Sequence, residues 1–465
     1  MSNYQAEFPA VAVGERTIAG HPPGLFVLFF AEAWERFSYY GMRALLVLYM
    51  VKHLSQPEVA ANVLGFAAVR GALESVFGPL DPQPLASQIY GLYTAFVYLT
   101  PFFGGLLADR VLGQRKTVVL GGVLMAAGHF VMAFESLFFP ALLLIILGNG
   151  AFKPNISTQV GLLYAQGDPR RDRAFSIFYV GINLGAFFAP LVAGTLGELY
   201  GWHYGFSAAG VGMVIGLLVY LWGQRYLAVD NLTRSRAADE KPEGFSADEW
   251  SRVGALVVLC LLNVFFWAVY EQQGNTIALF ADRNLDRNIL GWEFPTTWVQ
   301  SVNPFLIFSL TPLLTTLWGW QSNRNREPST VVKMSFGMVG LGLANLVLFA
   351  ATLVVGDGSK VSILWILFYF LFLTLGELYL SPVGLCLVTK VAPARIVSMM
   401  MGMWFLAVFA GNYLAGFLGS FWEKMPHGQF FLMMTGISFT TAVAIWSLSF
   451  PLKKAMGVSA DGKVH

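Results

Sequence analysis

The sequence predicts an all-α polytopic membrane protein with twelve transmembrane helices in two six-helix bundles. Composition, the recurrence of long apolar stretches and the distribution of basic residues all support this fold class. Of the 465 residues, 56% are hydrophobic and only 12% are charged, whereas globular proteins average about 45–50% apolar and about 25% charged residues. A chain with so few charges lacks the polar surface that a water-soluble protein of this length requires.

The same numbers exclude several other classes of protein. Disordered chains combine low hydrophobicity with high charge, and the net charge of +2 is too small for a nucleic-acid-binding protein. The two cysteines, Cys260 and Cys386, are too few for a disulfide scaffold. We therefore expect no nucleic-acid partner.

Apolar stretches long enough to cross a bilayer, about 20 residues each, recur along the chain. We predict spans 1 to 12 at 24–51, 86–108, 116–134, 138–163, 174–199, 204–226, 251–281, 296–320, 330–355, 360–389, 397–421 and 429–452.

Basic residues predict the orientation of these spans, because lysine and arginine accumulate in cytoplasmic loops. With the N-terminus placed inside, twenty of the 29 fall in cytoplasmic segments and six in outside loops. Residues 1–22 lack the apolar core of a signal peptide. The predicted organisation is a cytoplasmic tail (1–22), an N-terminal six-helix bundle (23–227), a cytoplasmic linker (228–250), a C-terminal six-helix bundle (251–452) and a second cytoplasmic tail (453–465).

Charges inside the predicted spans are the informative residues, because a charge at mid-membrane costs about 2.5–3.5 kcal/mol even on the lenient insertion scale. Span 1 carries Glu32, Glu35, Arg36 and Arg43. At helical spacing these residues share one face with Tyr39. This face predicts a polar cavity with carboxylates tuned as proton carriers, although an ion cluster that only positions the helix is an alternative.

Three further charges lie away from the ends of their spans: Lys153 in span 4, Glu271 in span 7 and Glu377 in span 10. A pair between the two bundles would satisfy two of these charges at once, and such a pair would break if the bundles rocked apart. A gate is thus one interpretation, and a static buried salt bridge is the other.

The motifs around these charges resemble those of one known family. Span 1 reads EAWERFSYYGMR over 32–43, and span 5 reads FYVGINLG over 178–185. The loop at 104–117 reads GGLLADRVLGQRKT. KPN, EQQ, Asn303-Pro304 and GELYLSPVG follow in spans 4, 7, 8 and 10. The chain resembles the proton-dependent oligopeptide transporters (the POT or PTR2 family) of the major facilitator superfamily, in their bacterial form.

The resemblance implies symport of di- and tripeptides with protons by alternating access, and it implies roles for individual residues. Proton coupling would fall to Glu32, Glu35, Arg36 and Glu271. The peptide carboxylate would meet Arg43 and Lys153, and the peptide amino terminus would meet Asn183, Asn303 and Glu377. Side-chain pockets would be lined by Tyr39, Tyr40, Tyr98 and Trp404. Gate pairs would be Arg43 with Glu271 and Lys153 with Glu377. The cytoplasmic loop motif would comprise Gly104, Asp109, Arg110 and Arg115.

The chain departs from parts of the wider family in two places. Animal relatives carry a histidine where this chain reads Gly91, after Tyr90, so the carboxylates of spans 1 and 7 must carry the proton coupling. Many bacterial relatives insert two helices between the bundles, and the 228–250 linker is too short for them.

Two other functions stay open at this point. An anion such as nitrate could replace the peptide, as in plant relatives, although Glu377 would then face no amine. A membrane-embedded enzyme would need a catalytic constellation, and neither HExxH nor GxSxG occurs. We expect no enzyme activity, cofactor or metal. The expected partners are peptides, protons and the lipid bilayer, and the expected form is a functional monomer in the bacterial inner membrane.

Overall fold

The computed structural model describes residues 17–165, 168–228, 246–356, 359–393 and 396–455. Within them the backbone is almost entirely helical, because a helix satisfies its own backbone hydrogen bonds where no water can do so. Most of the predicted terminal tails and of the predicted linker lie outside the described residues.

The described part of the chain contains seventeen α-helices and one small hairpin. The helices are α1 (Pro23–Tyr49), α2 (Pro57–Ala60), α3 (Phe66–Phe77), α4 (Pro82–Leu107), α5 (Gln114–Val131), α6 (Phe138–Leu162), α7 (Arg170–Ala189), α8 (Thr195–Leu199), α9 (Trp202–Gly223), α10 (Ala247–Tyr270), α11 (Thr276–Asn284), α12 (Val302–Ser322), α13 (Thr330–Val355), α14 (Ile363–Val391), α15 (Val397–Gly419), α16 (His427–Ser447) and α17 (Ser449–Ala455). The hairpin pairs β1 (Asn288–Ile289) with β2 (Trp292–Glu293) in antiparallel register.

Ten helical segments in the described residues are long and apolar enough to cross a membrane. The predicted polytopic helical class is therefore confirmed. Predicted spans 1 and 3 correspond to α1 and α5, which are not among the ten. Helix α1 carries four charges, and the first turn of α5 holds Arg115 and Lys116. The count of twelve spans stays a prediction.

Predicted span 7 is not one continuous helix. Helix α10 ends at Tyr270, a 3₁₀ turn covers Glu271–Gly274, and α11 starts at Thr276. Gly274 is a poor helix former, and Asn275 departs from helical geometry with φ −115° and ψ −98°. The break places Glu271 at the end of a helix rather than in its middle.

A short amphipathic helix follows span 1 and was not predicted from the sequence. Helix α3 buries Phe66 and Leu73 and exposes its opposite side. It is bounded by Gly65 and Gly78, whose φ angles of 84° and 75° are readily adopted only by glycine. Twelve residues are too few to cross a bilayer.

Contacts between Cα atoms divide the described residues into two compact units. The described residues of Met1–Met42 and Thr100–Ala237 form unit 1, and those of Arg43–Leu99 and Ala238–His465 form unit 2. The predicted bundles at 23–227 and 251–452 follow chain order, whereas these units follow contacts. The bundle boundaries stay a prediction.

Glycine allows close helix packing inside each unit, as is usual between membrane helices. In unit 1, a Cβ on Gly121 of α5 would collide with the backbone of Gly148 on α6. In unit 2, a Cβ on Gly91 of α4 would collide with the backbone of Gly416 on α15. Because neither residue of each pair has a side chain, the two backbones approach closely, and in unit 1 this contact holds the helix that carries Lys153.

Candidate functional site

The charged face of α1 forms a buried ion cluster in unit 1. Arg36 Nε lies 3.0 Å from Glu32 Oε1 and also pairs with Glu35 Oε2. Helical spacing of four residues places Glu32 and Arg36 on the same side of the helix. Glu32, Glu35 and Arg36 are 2%, 0% and 3% exposed, respectively. The guanidinium is therefore separated from water and held by two carboxylates.

Helix α6 adds polar groups to this cluster. Asn149 is fully buried, and its Nδ2 donates a hydrogen bond to Glu35 Oε1 over 2.9 Å. Lys153 lies one turn further along α6 from Asn149. The sequence analysis assigned a role to Lys153 but missed Asn149, although GNGAFKPN contains both residues.

Aromatic rings adjoin the ion cluster on α1. The Arg36 guanidinium carbon lies 5.5 Å from the centroid of the Tyr39 ring. The rings of Tyr39 and Tyr40 meet edge to face, with centroids 5.2 Å apart. Tyr39 is 2% exposed and Tyr40 is half-buried, so the pair lines the same polar face.

A second ion pair lies in unit 2 and joins the end of α1 to the broken span 7. Arg43 Nη2 pairs with Glu271 Oε2, and both residues are buried, with 6% and 1% exposure. Arg43 Nε also donates a hydrogen bond to the hydroxyl of Tyr90 on α4 over 2.8 Å. The 3₁₀ turn at Glu271–Gly274 brings the carboxylate to the arginine.

A third cluster surrounds Glu377 on α14, also in unit 2. Asn303 of α12 donates from Nδ2 to Glu377 Oε2 over 2.9 Å and to Thr374 Oγ1 over 3.0 Å. The hydroxyl of Tyr270 lies 3.4 Å from Asn303 Oδ1. The structure thus brings together Asn303 and Glu377, and it adds Thr374 and Tyr270, which the sequence analysis missed.

The remaining aromatic candidates pack within unit 2. Trp404 of α15 is 3% exposed, and a Cβ on Gly384 of α14 would collide with its ring. Gly384 is the glycine of the SPVG segment, and the Trp404 indole fits against α14 because this residue has no side chain. Tyr98 of α4 lies with its ring centroid 6.4 Å from that of Trp267 on α10.

The predicted loop motif connects elements of unit 1. A Cβ on Gly104 would collide with the backbone of Gly150 on α6. Asp109 and Arg110 are exposed in the turn at Ala108–Leu112. Arg115 donates hydrogen bonds to the carbonyl oxygens of Leu227 and Ala228, the latter over 2.8 Å.

Some predicted groupings join residues of different units. Asn183 lies in unit 1 and donates to the carbonyl oxygen of Tyr179 over 3.0 Å, whereas Asn303 and Glu377 lie in unit 2. Lys153 and Glu377 are likewise divided between the units. Their joint roles stay predictions.

The three clusters offer complementary chemistry. In the first two, guanidinium groups are paired with carboxylates, so a proton taken by a carboxylate would leave the guanidinium for another anion. In the third, the Asn303 amide that donates to Glu377 is neutral, so this donor leaves the carboxylate charge available to an ammonium group. Within unit 2 alone, the pair at Arg43 and the carboxylate of Glu377 offer groups for the two charges of a small zwitterion.

Comparison with known proteins identifies relatives over nearly the whole chain. The family model described as POT family, PTR2, matches residues 115–237 and 244–433. An uncharacterized transporter, YclF of Bacillus subtilis, is 35% identical over 98% of this chain and 99% of its own. The peptide transporter YePEPT of Yersinia enterocolitica is 34% identical, and the match covers 87% of this chain and 89% of that protein. A di-/tripeptide transporter of Lactococcus lactis is 32% identical over 95% and 98%.

Solved structures give the same result. A peptide transporter POT in complex with sulfate matches with a TM-score of 0.82 and 33% identity, over 96% of this chain and 98% of that one. A POT family transporter in complex with 5-aminolevulinic acid matches with a TM-score of 0.79 and 28% identity. The match covers 94% of this chain and 98% of that chain. With a family model matched over most of its length and relatives of this identity, the chain belongs to the POT family of membrane transporters.

Proposed function

We propose that the protein is a proton-coupled symporter that imports di- and tripeptides by alternating access across the bacterial cytoplasmic membrane. The POT family and the peptide transporters among its relatives support this substrate class. The observation that carries the proposal is a difference in partners: Glu377 is held by a neutral amide, whereas the guanidinium groups of Arg36 and Arg43 are paired with acids.

The substrate termini would be recognised by the two kinds of charged group. A dipeptide carries an ammonium and a carboxylate, and these groups are common to all short peptides. Glu377 with Asn303 and Asn183 would hold the ammonium, and Arg43 with Lys153 would hold the carboxylate. Recognition of termini rather than side chains accounts for a broad range of peptides, and a longer peptide would place one terminus out of register.

Proton coupling would follow from competition for the arginines. The carboxylate of Glu271 is paired with the Arg43 guanidinium, and the carboxylates of Glu32 and Glu35 are paired with the Arg36 guanidinium. A proton on one of these carboxylates removes its charge, and the guanidinium then needs another anion because an unpaired charge is costly in a buried site. The substrate carboxylate is such an anion, so proton and peptide would bind together.

The aromatic residues would determine how peptide side chains are received. Tyr39, Tyr40, Tyr98 and Trp404 offer ring faces and hydroxyl groups within the two units. Apolar rings accept many side-chain shapes because the hydrophobic contribution is not directional.

Several finer features belong to the proposal. Both termini would lie in the cytoplasm, as the excess of basic residues in the inside loops supports. Lys153 with Glu377, together with Arg43 with Glu271, would act as gate pairs between two six-helix bundles. Gly104, Asp109, Arg110 and Arg115 would order the cytoplasmic loop after span 2. The functional unit would be a monomer.

Uptake into proteoliposomes tests the proposal. Purified protein should accumulate a labelled dipeptide when the outside is made more acidic than the lumen, and liposomes without protein should not. Unlabelled dipeptides and tripeptides should compete, whereas free amino acids, tetrapeptides and nitrate should not. No uptake with an imposed gradient, or competition by nitrate alone, would refute peptide symport.

A further inference from the structure

The arginine of the second ion pair is held from two sides. Arg43 Nη2 forms an ion pair with the Glu271 carboxylate, and Arg43 Nε donates a hydrogen bond to the hydroxyl oxygen of Tyr90 over 2.8 Å. Tyr90 has no solvent exposure, and its ring centroid lies 5.8 Å from the guanidinium carbon. Because the guanidinium is rigid and planar with its donors at fixed angles, a bond at Nε determines where the Nη groups point.

Gly274 makes room for this arrangement. It ends the 3₁₀ turn that carries Glu271. A Cβ at this position would collide with the Tyr90 hydroxyl and would lie 3.2 Å from Arg43 Nη2. Gly274 is not among the described glycines with positive φ, so the requirement at this position is space rather than backbone conformation.

Neighbouring hydrogen bonds fix α4 against the same turn. Ser87, three residues before Tyr90, donates from Oγ to Asn275 Oδ1 over 2.8 Å. Gln83, one turn earlier, donates to the carbonyl oxygen of Gly419 over 3.0 Å. Both contacts are buried; the first joins α4 to the residue that follows Gly274 and the second joins α4 to α15, so α4 is held beside the turn without the arginine.

We propose that Tyr90 and Gly274 are positioning residues that orient the Arg43 guanidinium for the substrate carboxylate. This inference rests on the proposed function. When Glu271 releases the arginine, the Tyr90 hydroxyl still holds Nε, so the freed Nη edge keeps its direction and meets the incoming carboxylate. Without the hydroxyl the guanidinium would rotate about its own side chain, and the substrate would bind less tightly.

The variant Tyr90→Phe tests the role of the hydroxyl. Hydrogen bonds to charged groups contribute about 1.5–3 kcal/mol, so the KM for a dipeptide should rise about tenfold or more, with Vmax per folded molecule much less affected. Tyr369→Phe is the matched control. Tyr369 is equally buried, on α14, and its hydroxyl has no hydrogen-bond partner among the described residues, so the KM should not change.

A double-mutant cycle tests the contact between the two residues. Gly274→Ala should reduce uptake strongly in the wild-type background. It should cost clearly less in the Tyr90→Phe background, because the oxygen that the new methyl group would strike is gone. Melting temperatures of the purified variants, measured in parallel, separate this coupling from a loss of folded protein.

The outcomes distinguish this inference from the function on which it rests. Wild-type protein that takes up no dipeptide would refute the proposed function. Wild-type uptake together with an unchanged KM in Tyr90→Phe, or with additive effects in the cycle, would refute only the positioning role.

Discussion

At the scale of single residues, the four charges of α1 are buried in ion pairs, Arg36 with Glu32 and Glu35, and Arg43 with Glu271. Arg36 contacts two acids at once, and Asn149 ties one of them to α6. Removing one member of a buried pair outright typically costs about 3–5 kcal/mol, whereas an amide in place of a carboxylate keeps the shape and a hydrogen-bond acceptor. Glutamine substitutions therefore probe charge with little change in packing.

We expect Glu32→Gln and Glu35→Gln to uncouple transport from the proton gradient. Each should lower gradient-driven dipeptide uptake at least tenfold, equivalent to about 1.4 kcal/mol. Each should leave counterflow exchange of labelled for unlabelled dipeptide close to the wild-type rate, because exchange needs no net proton movement. Both activities can be measured in the same proteoliposomes.

The control for this pair is Glu58→Gln on α2. The side chain of Glu58 makes no hydrogen bond or ion pair among the described residues and is exposed, so both activities should be retained. Loss of uptake and counterflow together in Glu32→Gln or Glu35→Gln would show that these residues shape the site rather than carry protons.

The charged site residues could be selected from sequence because each has a high cost in an apolar span. Neutral polar partners could not be selected on that ground, and Asn303 was named only through the family resemblance. Asn149 contacts Glu35, but Asn345 on α13 only donates to the carbonyl oxygen of Leu341 in its own helix, over 3.0 Å. Both are buried asparagines in apolar helices, and only tertiary packing distinguishes them. Thr374 was missed for the same reason, and Tyr90 was noted only as the neighbour of Gly91, without a role.

At the scale of elements, α3 depends on a partly exposed carboxylate near its C-terminal end. Glu74 Oε1 accepts hydrogen bonds from Arg70 Nε over 2.8 Å and from the backbone amide of Leu80 over 3.1 Å. The hydrogen bond from Arg70, followed by that from Leu80, lowers the pKa of the Glu74 carboxyl from its usual value. The charged form therefore stabilises this helix and the chain that follows it.

The stabilisation by Glu74 should depend on pH in a defined direction. A lowered pKa in the folded state means that the contribution is present at neutral pH and is lost as the pH falls through the folded-state pKa. Hydrogen exchange at 66–80, corrected for intrinsic rates, should be faster in Glu74→Gln than in wild type at pH 7. The difference should vanish in acid. Equal exchange at pH 7, or a difference that persists in acid, would contradict this role.

The sequence predicted the long helices well and their interruptions poorly. Hydropathy averaged over a span does not register a four-residue turn, so Glu271–Gly274 was included in a continuous span 7, although the polar EQQGN run marks the break in hindsight. Helix α3 was missed because its amphipathic pattern is too short for a span. Its bounding glycines, Gly65 and Gly78, were visible stop signals.

At the scale of the whole molecule, a membrane fold of low charge content contains three buried polar clusters. The composition indicated the fold class, and the relatives established the family. The coupling of proton and peptide is the central claim, because it connects the arginine–carboxylate pairs in both units to the direction of transport.

Proton entry driven by peptide tests that claim most directly. Proteoliposomes would contain a pH-sensitive dye, start at equal pH on both sides, and have their membrane potential held constant by potassium and valinomycin. Addition of dipeptide outside should acidify the lumen with wild-type protein but not with Glu271→Gln. Uptake of labelled dipeptide without any change in lumenal pH would contradict proton-coupled symport.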